Sequence, residues 1–182
     1  MKIFATAIPG TLLIEPDVFE DERGLFFESF NRREFERLSR VAVTFVQDNY
    51  SVSKKNTLRG LHYQIKQPQG KLIQVVWGEI FDVAVDLRKN SPTLGQWVSN
   101  RLSAENRRML WIPPGFAHGF LSLAEQSAVV YKTTDFWAPE SECCIVWNDP
   151  DLAIAWPLQG STPLLSKKDQ EALPFRLAEL FP

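Results

Sequence analysis

Histidine is scarce in this chain: 182 residues carry two, His62 and His118. Histidine is the side chain whose ordinary pKa suits acid or base work near neutral pH, and it is the commonest metal ligand. Two of them leave room for proton transfer or for a sparse metal site, and for little else. Cysteine is equally rare, with Cys143 and Cys144 adjacent in sequence. A bridge between neighbours is strained, and two cysteines are too few for a secreted disulfide framework, so a reducing cytoplasm is the expected location. No run approaches the roughly 20 apolar residues of a membrane helix. The apolar stretch Met1 to Ile14 is broken by Pro9-Gly10 and followed by Glu15, so a cleaved signal segment is not expected. An excess of positive charge is also missing. The net charge is -2 and the pI about 5.8, which excludes a broad basic field for nucleic acid. Any anionic ligand must be met by a few placed arginines and lysines. There is no Gly-x-Gly-x-x-Gly after a strand, no phosphate loop ending in Gly-Lys-Ser/Thr and no Gly-x-Ser-x-Gly elbow, so dinucleotide, nucleoside triphosphate and serine-hydrolase sites have no support.

What is present is a soluble globular composition, 45% hydrophobic, long enough for one domain spanning residues 1–182. Short segments of period two recur between turn residues: Leu12 to Ile14, Leu25 to Ser29, Thr44 to Val52, Thr57 to Gln64, Leu72 to Trp77, Ile80 to Leu87, Trp97 to Leu102, Met109 to Ile112, Gly119 to Leu123, Ala128 to Phe136 and Cys144 to Trp147. Many short strands at this spacing predict an all-β antiparallel sandwich or barrel. Trp77-Gly78-Glu79 and Lys54-Lys55-Asn56 read as hairpin turns, and Ser91-Pro92 with Gly95 as a loop. Helices are few: Asn31 to Ser39 has an asparagine cap, and Ser166 to Leu173 opens with Ser166 and Asp169 at capping-box spacing.

Within the strand around Thr44 to Val52, Phe45, Gln47 and Asn49 share one face while Val46, Asp48, Tyr50 and Val52 share the other. Two amides on one face of an inner strand suit ligand hydrogen bonding, and equally a solvated outer face. Arg59 and His62 are three apart, which strict alternation puts on opposite faces, and Gly60 between them can host a bulge that re-aims one of them. Taken singly, His62 reads as a core histidine, His118 as a loop histidine after Pro113-Pro114-Gly115, Lys71 as an exposed lysine, Tyr131 as a core or edge aromatic and Asp169 as a helix cap. Cys143 and Cys144 have no metal spacing and no nearby partner.

Taken together, the segments tell more. Phe19-Glu20-Asp21-Glu22-Arg23-Gly24-Leu25-Phe26-Phe27-Glu28, Phe45-Val46-Gln47-Asp48-Asn49, Leu58-Arg59-Gly60-Leu61-His62, Trp111-Ile112-Pro113-Pro114-Gly115-Phe116-Ala117-His118-Gly119-Phe120, Val130-Tyr131-Lys132-Thr133-Thr134, Trp147-Asn148-Asp149-Pro150 and Leu165-Ser166-Lys167-Lys168-Asp169 run in order over nearly the whole chain. They resemble the dTDP-4-dehydrorhamnose 3,5-epimerase family. The resemblance implies a cupin-like jelly roll with a few short helices, a homodimer, and epimerisation of a dTDP-4-keto-6-deoxy sugar at C3 and C5 with no cofactor and no metal. It further implies His62 as general base, Tyr131 as proton donor, Asp169 as the carboxylate orienting the histidine and Lys71 beside the keto oxygen. Arg23, Glu28, Gln47, Asp48, Asn49, Arg59, His118, Glu142 and Lys168 match substrate-binding positions. Trp137 stands where an aromatic stacks on thymine, a position often held by tyrosine in the family. Rival readings are a mono-epimerase or ketoisomerase of a related sugar, a metal-dependent cupin using His62, His118 and a carboxylate as a facial triad, and a sugar-nucleotide-binding module without activity.

Overall fold

Strands that alternate apolar and polar must bury one face, and here they do so by stacking two antiparallel sheets against each other. The computed structural model describes residues 1–182. The first sheet runs in the order β1 (Lys2–Ala5), β2 (Leu12–Glu15), β10 (Met109–Ile112), β7 (Lys71–Trp77), β12 (Gln126–Thr133) and β5 (Gln47–Lys54). The second runs β13 (Glu142–Cys144), β6 (Leu58–Gln64), β11 (Phe116–Ser122), β8 (Glu79–Asp86) and β9 (Trp97–Ser103). From β5 to β8 and again from β9 to β13 each successive strand changes sheet; the strand spacing predicted the antiparallel sandwich, and the winding is the jelly roll that the family resemblance implied. A separate hairpin, β3 (Phe19–Asp21) with β4 (Gly24–Phe26), stands apart. No helix is long and apolar enough to cross a membrane.

The winding corrects two turns. Trp77-Gly78-Glu79 and Lys54-Lys55-Asn56 have the chemistry of hairpin turns, with Gly78 at φ 73° and Asn56 at φ 61°. Yet each joins strands in opposite sheets. A tight left-handed turn reverses the chain in either case, and long-range pairing decides whether the two arms lie side by side or face to face.

Between the sheets, Ile73, Val75, Leu110, Ile112 and Val129 from the first meet Ile80, Ala84, Leu102, Phe116 and Phe120 from the second. This apolar half of the interior supplies much of the driving force for closure, at about 1.5–3 kcal/mol for each large side chain buried. The other half holds polar side chains and forms the site. Outside the second sheet, Leu61, Tyr63, Val83 and Val85 are covered by Leu152, Ile154 and Phe181. Outside the first, α1 (Arg32–Ser39) lays Phe35 edge-on against Trp111 at 5.6 Å. Asn31 caps α1 by accepting from the Glu34 amide at 3.2 Å, as its sequence predicts. The second helix is shorter than expected, one turn over α2 (Lys167–Gln170). Strands β1 and β3 escaped the sequence reading. Residues 44–46 and 134–136 are not strand, and the strand placed at Cys144 to Trp147 lies earlier, at β13.

Candidate active site

The site is built where β6 breaks its own alternation. Across the β6–β11 pair, His62 faces His118 and Arg59 faces Phe120, so Gly60 and Leu61 together oppose the single residue Gly119. This is a bulge, and it turns Arg59 and His62 to the same side while Leu61 and Tyr63 pack outward. Gly60 takes φ 118°, and a Cβ there would come within 2.5 Å of Gly119 Cα. Only glycine permits that backbone contact. Arg59 then reaches toward the first sheet, where its Nε donates to Ser53 Oγ at 3.0 Å and its guanidinium to the Val52 carbonyl at 3.2 Å.

His62 meets Asp169, its Nε2 lying 2.5 Å from Oδ1. The carboxylate is almost wholly buried, 2% exposed. Its other oxygen accepts from Ser166 Oγ at 2.7 Å, while the same Oγ accepts from the Asp169 amide. The predicted cap therefore forms, but the carboxylate is spent on His62 and the Ser166 hydroxyl rather than on the Ser166 amide. Burial alone would raise the Asp169 carboxyl. The bonds from His62, Ser166 and the Gly60 amide outweigh it and hold the group at about 2. His62 moves down from its ordinary value, because burial, helped by the nearby Lys168 and Lys71 ammonium groups, outweighs the attraction of Asp169. A neutral ring beside an ionised carboxylate donates its Nε2–H, leaving Nδ1 with its lone pair free. Replacement of Asp169 by Asn tests this coupling. Ser166 remains the cap of the helix, so stability should change by no more than about 2 kcal/mol, while turnover should fall by about 100-fold or more as the tautomer is lost. Normal turnover by the variant would leave Asp169 a structural partner of the Ser166 cap alone.

The dyad opens on a cavity of about 240 Å³ between the two sheets, lined by His62 and Gln64 from β6, by Lys71 and Tyr131 from β7 and β12, and by Gln47 and Asn49 from β5, with Gln69, Trp137 and Glu142 at its sides. Lys71 is buried, and desolvation lowers its ammonium to about 8 against the pull of Glu142 and Asp82. Burial and the Glu142 carboxylate hold the Tyr131 hydroxyl above its ordinary range, with Arg59 opposing. Burial would raise Glu142, but Lys168 Nζ at 2.7 Å and its charge bring it below the usual range. His118, beside His62 on the neighbouring strand, is held by the fully buried Asp82 through a 2.8 Å bond at Nε2. A larger cleft of about 770 Å³ around Trp77, Glu79, Glu105 and Glu125 contains no base paired with an acid.

The structure thus gathers Gln47, Asn49, His62, Lys71, Tyr131, Trp137 and Glu142 around one cavity, with Arg59, His118, Lys168 and Asp169 at its margin. Three of the expected residues are not brought to the cavity within one chain. Strand alternation turns Asp48 to the outer face, where it pairs with Lys132 at 2.9 Å. Arg23 and Glu28 lie outside the cavity of a single chain, Arg23 on the β3–β4 hairpin in a pair with Asp21. Strand β5 is an edge strand rather than an inner one, although its amides do face inward. Cys144, read as having no partner, has its Sγ 3.6 Å from Asp169 Oδ1. The facial triad is not assembled, since His62 and His118 bind separate carboxylates. Sequence reasoning missed Asp82, Gln64 and Gln69, and read Ser166 as a helix cap only. An acid between Ile80 and Ala84 on one strand face is a legible signal for Asp82, while loop residue Gln69 carries none.

Comparison with known proteins agrees with this geometry. A family model described as dTDP-4-dehydrorhamnose 3,5-epimerase matches residues 5–176. The chain is 61% identical over 182 residues, covering all of both chains, to the dTDP-4-dehydrorhamnose 3,5-epimerase of Pseudomonas aeruginosa. It is 57% identical over 173 residues, 94% of each chain, to that of Salmonella typhimurium. Among solved structures, dTDP-6-deoxy-D-glucose-3,5-epimerase from Legionella pneumophila, in complex with dTDP-4-keto-L-rhamnose, superposes with a TM-score of 0.95 at 52% identity, covering 98% of this chain and 94% of that one. A jelly roll with an inward His–Asp pair facing a lysine and a tyrosine, and full-length identity of this order, have one reading: the chain belongs to the dTDP-4-dehydrorhamnose 3,5-epimerase family.

Proposed function

We propose that this protein, acting as one domain, converts dTDP-4-dehydro-6-deoxyglucose into dTDP-4-dehydro-L-rhamnose by inverting C3 and C5, as a step of dTDP-L-rhamnose biosynthesis. The observation that carries the reading is the placement of base and acid: His62 projects from one sheet and Tyr131 from the other into one cavity, with Lys71 between the apolar core and the opening. Both carbons are alpha to the 4-keto group, so each proton becomes removable once charge can move onto the keto oxygen. Nδ1 of His62 takes the proton, Asp169 holds the ring in the tautomer that leaves this nitrogen free, and the buried Lys71 ammonium stabilises the enolate. Tyr131 returns a proton to the opposite face. In the gluco configuration the C3 and C5 hydrogens are axial on the same face, so one base and one acid serve both carbons. Each inversion leaves His62 protonated and Tyr131 ionised, and the pair resets through solvent. Incubation with the substrate in deuterated water, followed by NMR, should show deuterium at both C3 and C5 of the product. Exchange at one carbon alone would identify a mono-epimerase, and exchange at neither would overturn the proposal.

The cavity is smaller than the roughly 300 Å³ at which whole-ligand sites begin. It houses the sugar, and the nucleotide lies at the mouth, where Trp137 is 60% exposed and offers an indole face to thymine. The diphosphate requires positive charge, which Arg59 and Lys168 supply from this chain. Arg23 and Glu28 take part in binding if the exposed β3–β4 hairpin, with its uncovered Phe19, Leu25 and Phe26, extends over a second copy. The outer face of β5 also presents uncovered Tyr50 and Val52. A homodimer accounts for both surfaces. A mass of one chain by light scattering at working concentration would remove it. The reading includes a cytoplasmic location, where nucleotide sugars are made.

The pH profile of kcat/KM follows from the two shifted groups. His62 must be neutral, and its lowered pKa sets an acid limb below 6.5. Lys71 must be charged, and activity should fall as pH rises through about 8. A profile that stays level far above that value would take Lys71 out of the enolate-stabilising role.

A further inference from the structure

The orienting carboxylate has a third neighbour that the proton-transfer chemistry does not use. Cys144 stands on β13 directly opposite His62 on β6. One ring nitrogen of His62, one oxygen of Asp169 and the Cys144 sulfur all lie within 4.8 Å of one another. Imidazole, carboxylate and thiolate are the donor types that zinc takes from proteins. We propose that His62, Cys144 and Asp169 form a three-donor site for Zn²⁺, and that its occupation reversibly switches off the base.

The geometry needs little adjustment. Zinc holds nitrogen, oxygen and sulfur ligands at about 2.0 to 2.3 Å, so neighbouring donors of a tetrahedral ion lie about 3.4 Å apart or slightly more. Cys144 Sγ and Asp169 Oδ1 already stand at 3.6 Å. The His62–Asp169 pair at 2.5 Å must open by about 1 Å, and His62, half-buried at the edge of the cavity, has room to do so. The fourth position then faces the cavity, where water can fill it. Carboxylate and thiolate together neutralise the ion, which a buried site requires.

Charge and proton accounting make the occupied state inactive. The Cys144 thiol points its hydrogen at Asp169 Oδ1, 3.6 Å away, and a metal takes the place of that hydrogen. On binding, the thiol proton leaves to solvent and Zn–S forms. Zn–N forms at Nε2, whose hydrogen is transferred to Nδ1. The nitrogen that faces the substrate then carries a hydrogen and can accept none. One proton is released per ion, and no electron is transferred. Hard ions such as Mg²⁺ have no preference for this donor set and should leave the enzyme active. The switching role rests on the reading of His62 as base, whereas binding of the metal does not.

The test uses the full-length protein stripped with a chelator. Co²⁺ serves as the spectroscopic probe and Zn²⁺ as the titrant in calorimetry and in the deuterium-exchange assay. The wild type should give a thiolate-to-cobalt charge-transfer band, bind one Zn²⁺ and lose exchange at C3 and C5, with recovery on chelation. Cys144→Ser should lose the band and bind Zn²⁺ at least about tenfold more weakly, the smallest loss seen when even a supporting group of a metal site is removed. Cys143→Ser should keep both, because its sulfur faces Ser141 and Tyr63. Absence of the band in the wild type, or unchanged Zn²⁺ affinity in Cys144→Ser, overturns the site. A band with undiminished exchange overturns the switch and counts against His62 as base.

Discussion

Replacing His62 with Ala is expected to abolish deuterium exchange at both C3 and C5 together with formation of inverted product. A positioned base contributes about 10²–10⁴-fold, and no neighbour can substitute. Asp169 is nearly fully buried behind the ring, and His118 is committed to Asp82 at 2.8 Å. The truncation also strips a hydrogen bond from a buried carboxylate, at about 1–3 kcal/mol, so a lost fold must be told apart from a lost base. His62→Asn provides that control, since its amide can still donate to Asp169 while offering no comparable base. It should melt near the wild-type temperature and remain inactive. Residual exchange by a folded His62→Asn protein at more than about one hundredth of the wild-type rate would place the base elsewhere.

Tyr131→Phe should separate the two half-reactions. The ring stays packed against the apolar core, the hydroxyl is lost, and His62 remains able to remove a proton and return one from solvent to the same face. The sugar should therefore acquire deuterium while inverted product falls by about 10²-fold or more. The separation depends on the two groups lying on facing sheets. A base and an acid on one strand face could substitute for each other, but these two cannot. Undiminished inversion by the variant would assign the donor to water or another side chain.

The strand spacing predicted the sandwich, because a period of two is set by the backbone and survives any tertiary arrangement. The Asn31 and Ser166 caps were legible for the same reason: both are made within three residues. Pairing was not legible. The turns at Gly78 and Asn56 have hairpin chemistry but cross between sheets, since only the burial of both faces decides which arms pair. Strands β1 and β3 carried too little alternation to be seen.

The residues of the site, read singly, each had an ordinary explanation, and the resemblance of several motifs in order is what assigned them roles. The bulge at Gly60 was suspected from the three-residue spacing of Arg59 and His62, and the backbone contact with Gly119 supplies its cause. Local sequence thus determined the strands, the caps and the types of chemistry available, because those depend on backbone period and on side-chain identity. Only the tertiary structure decided that Asp169, 107 residues from His62, closes on its ring, that Cys144 shares the same carboxylate, and that Asp48 faces outward while Gln47 and Asn49 face in. Those facts depend on which faces the two sheets bury against each other, and burial is a property of the whole chain.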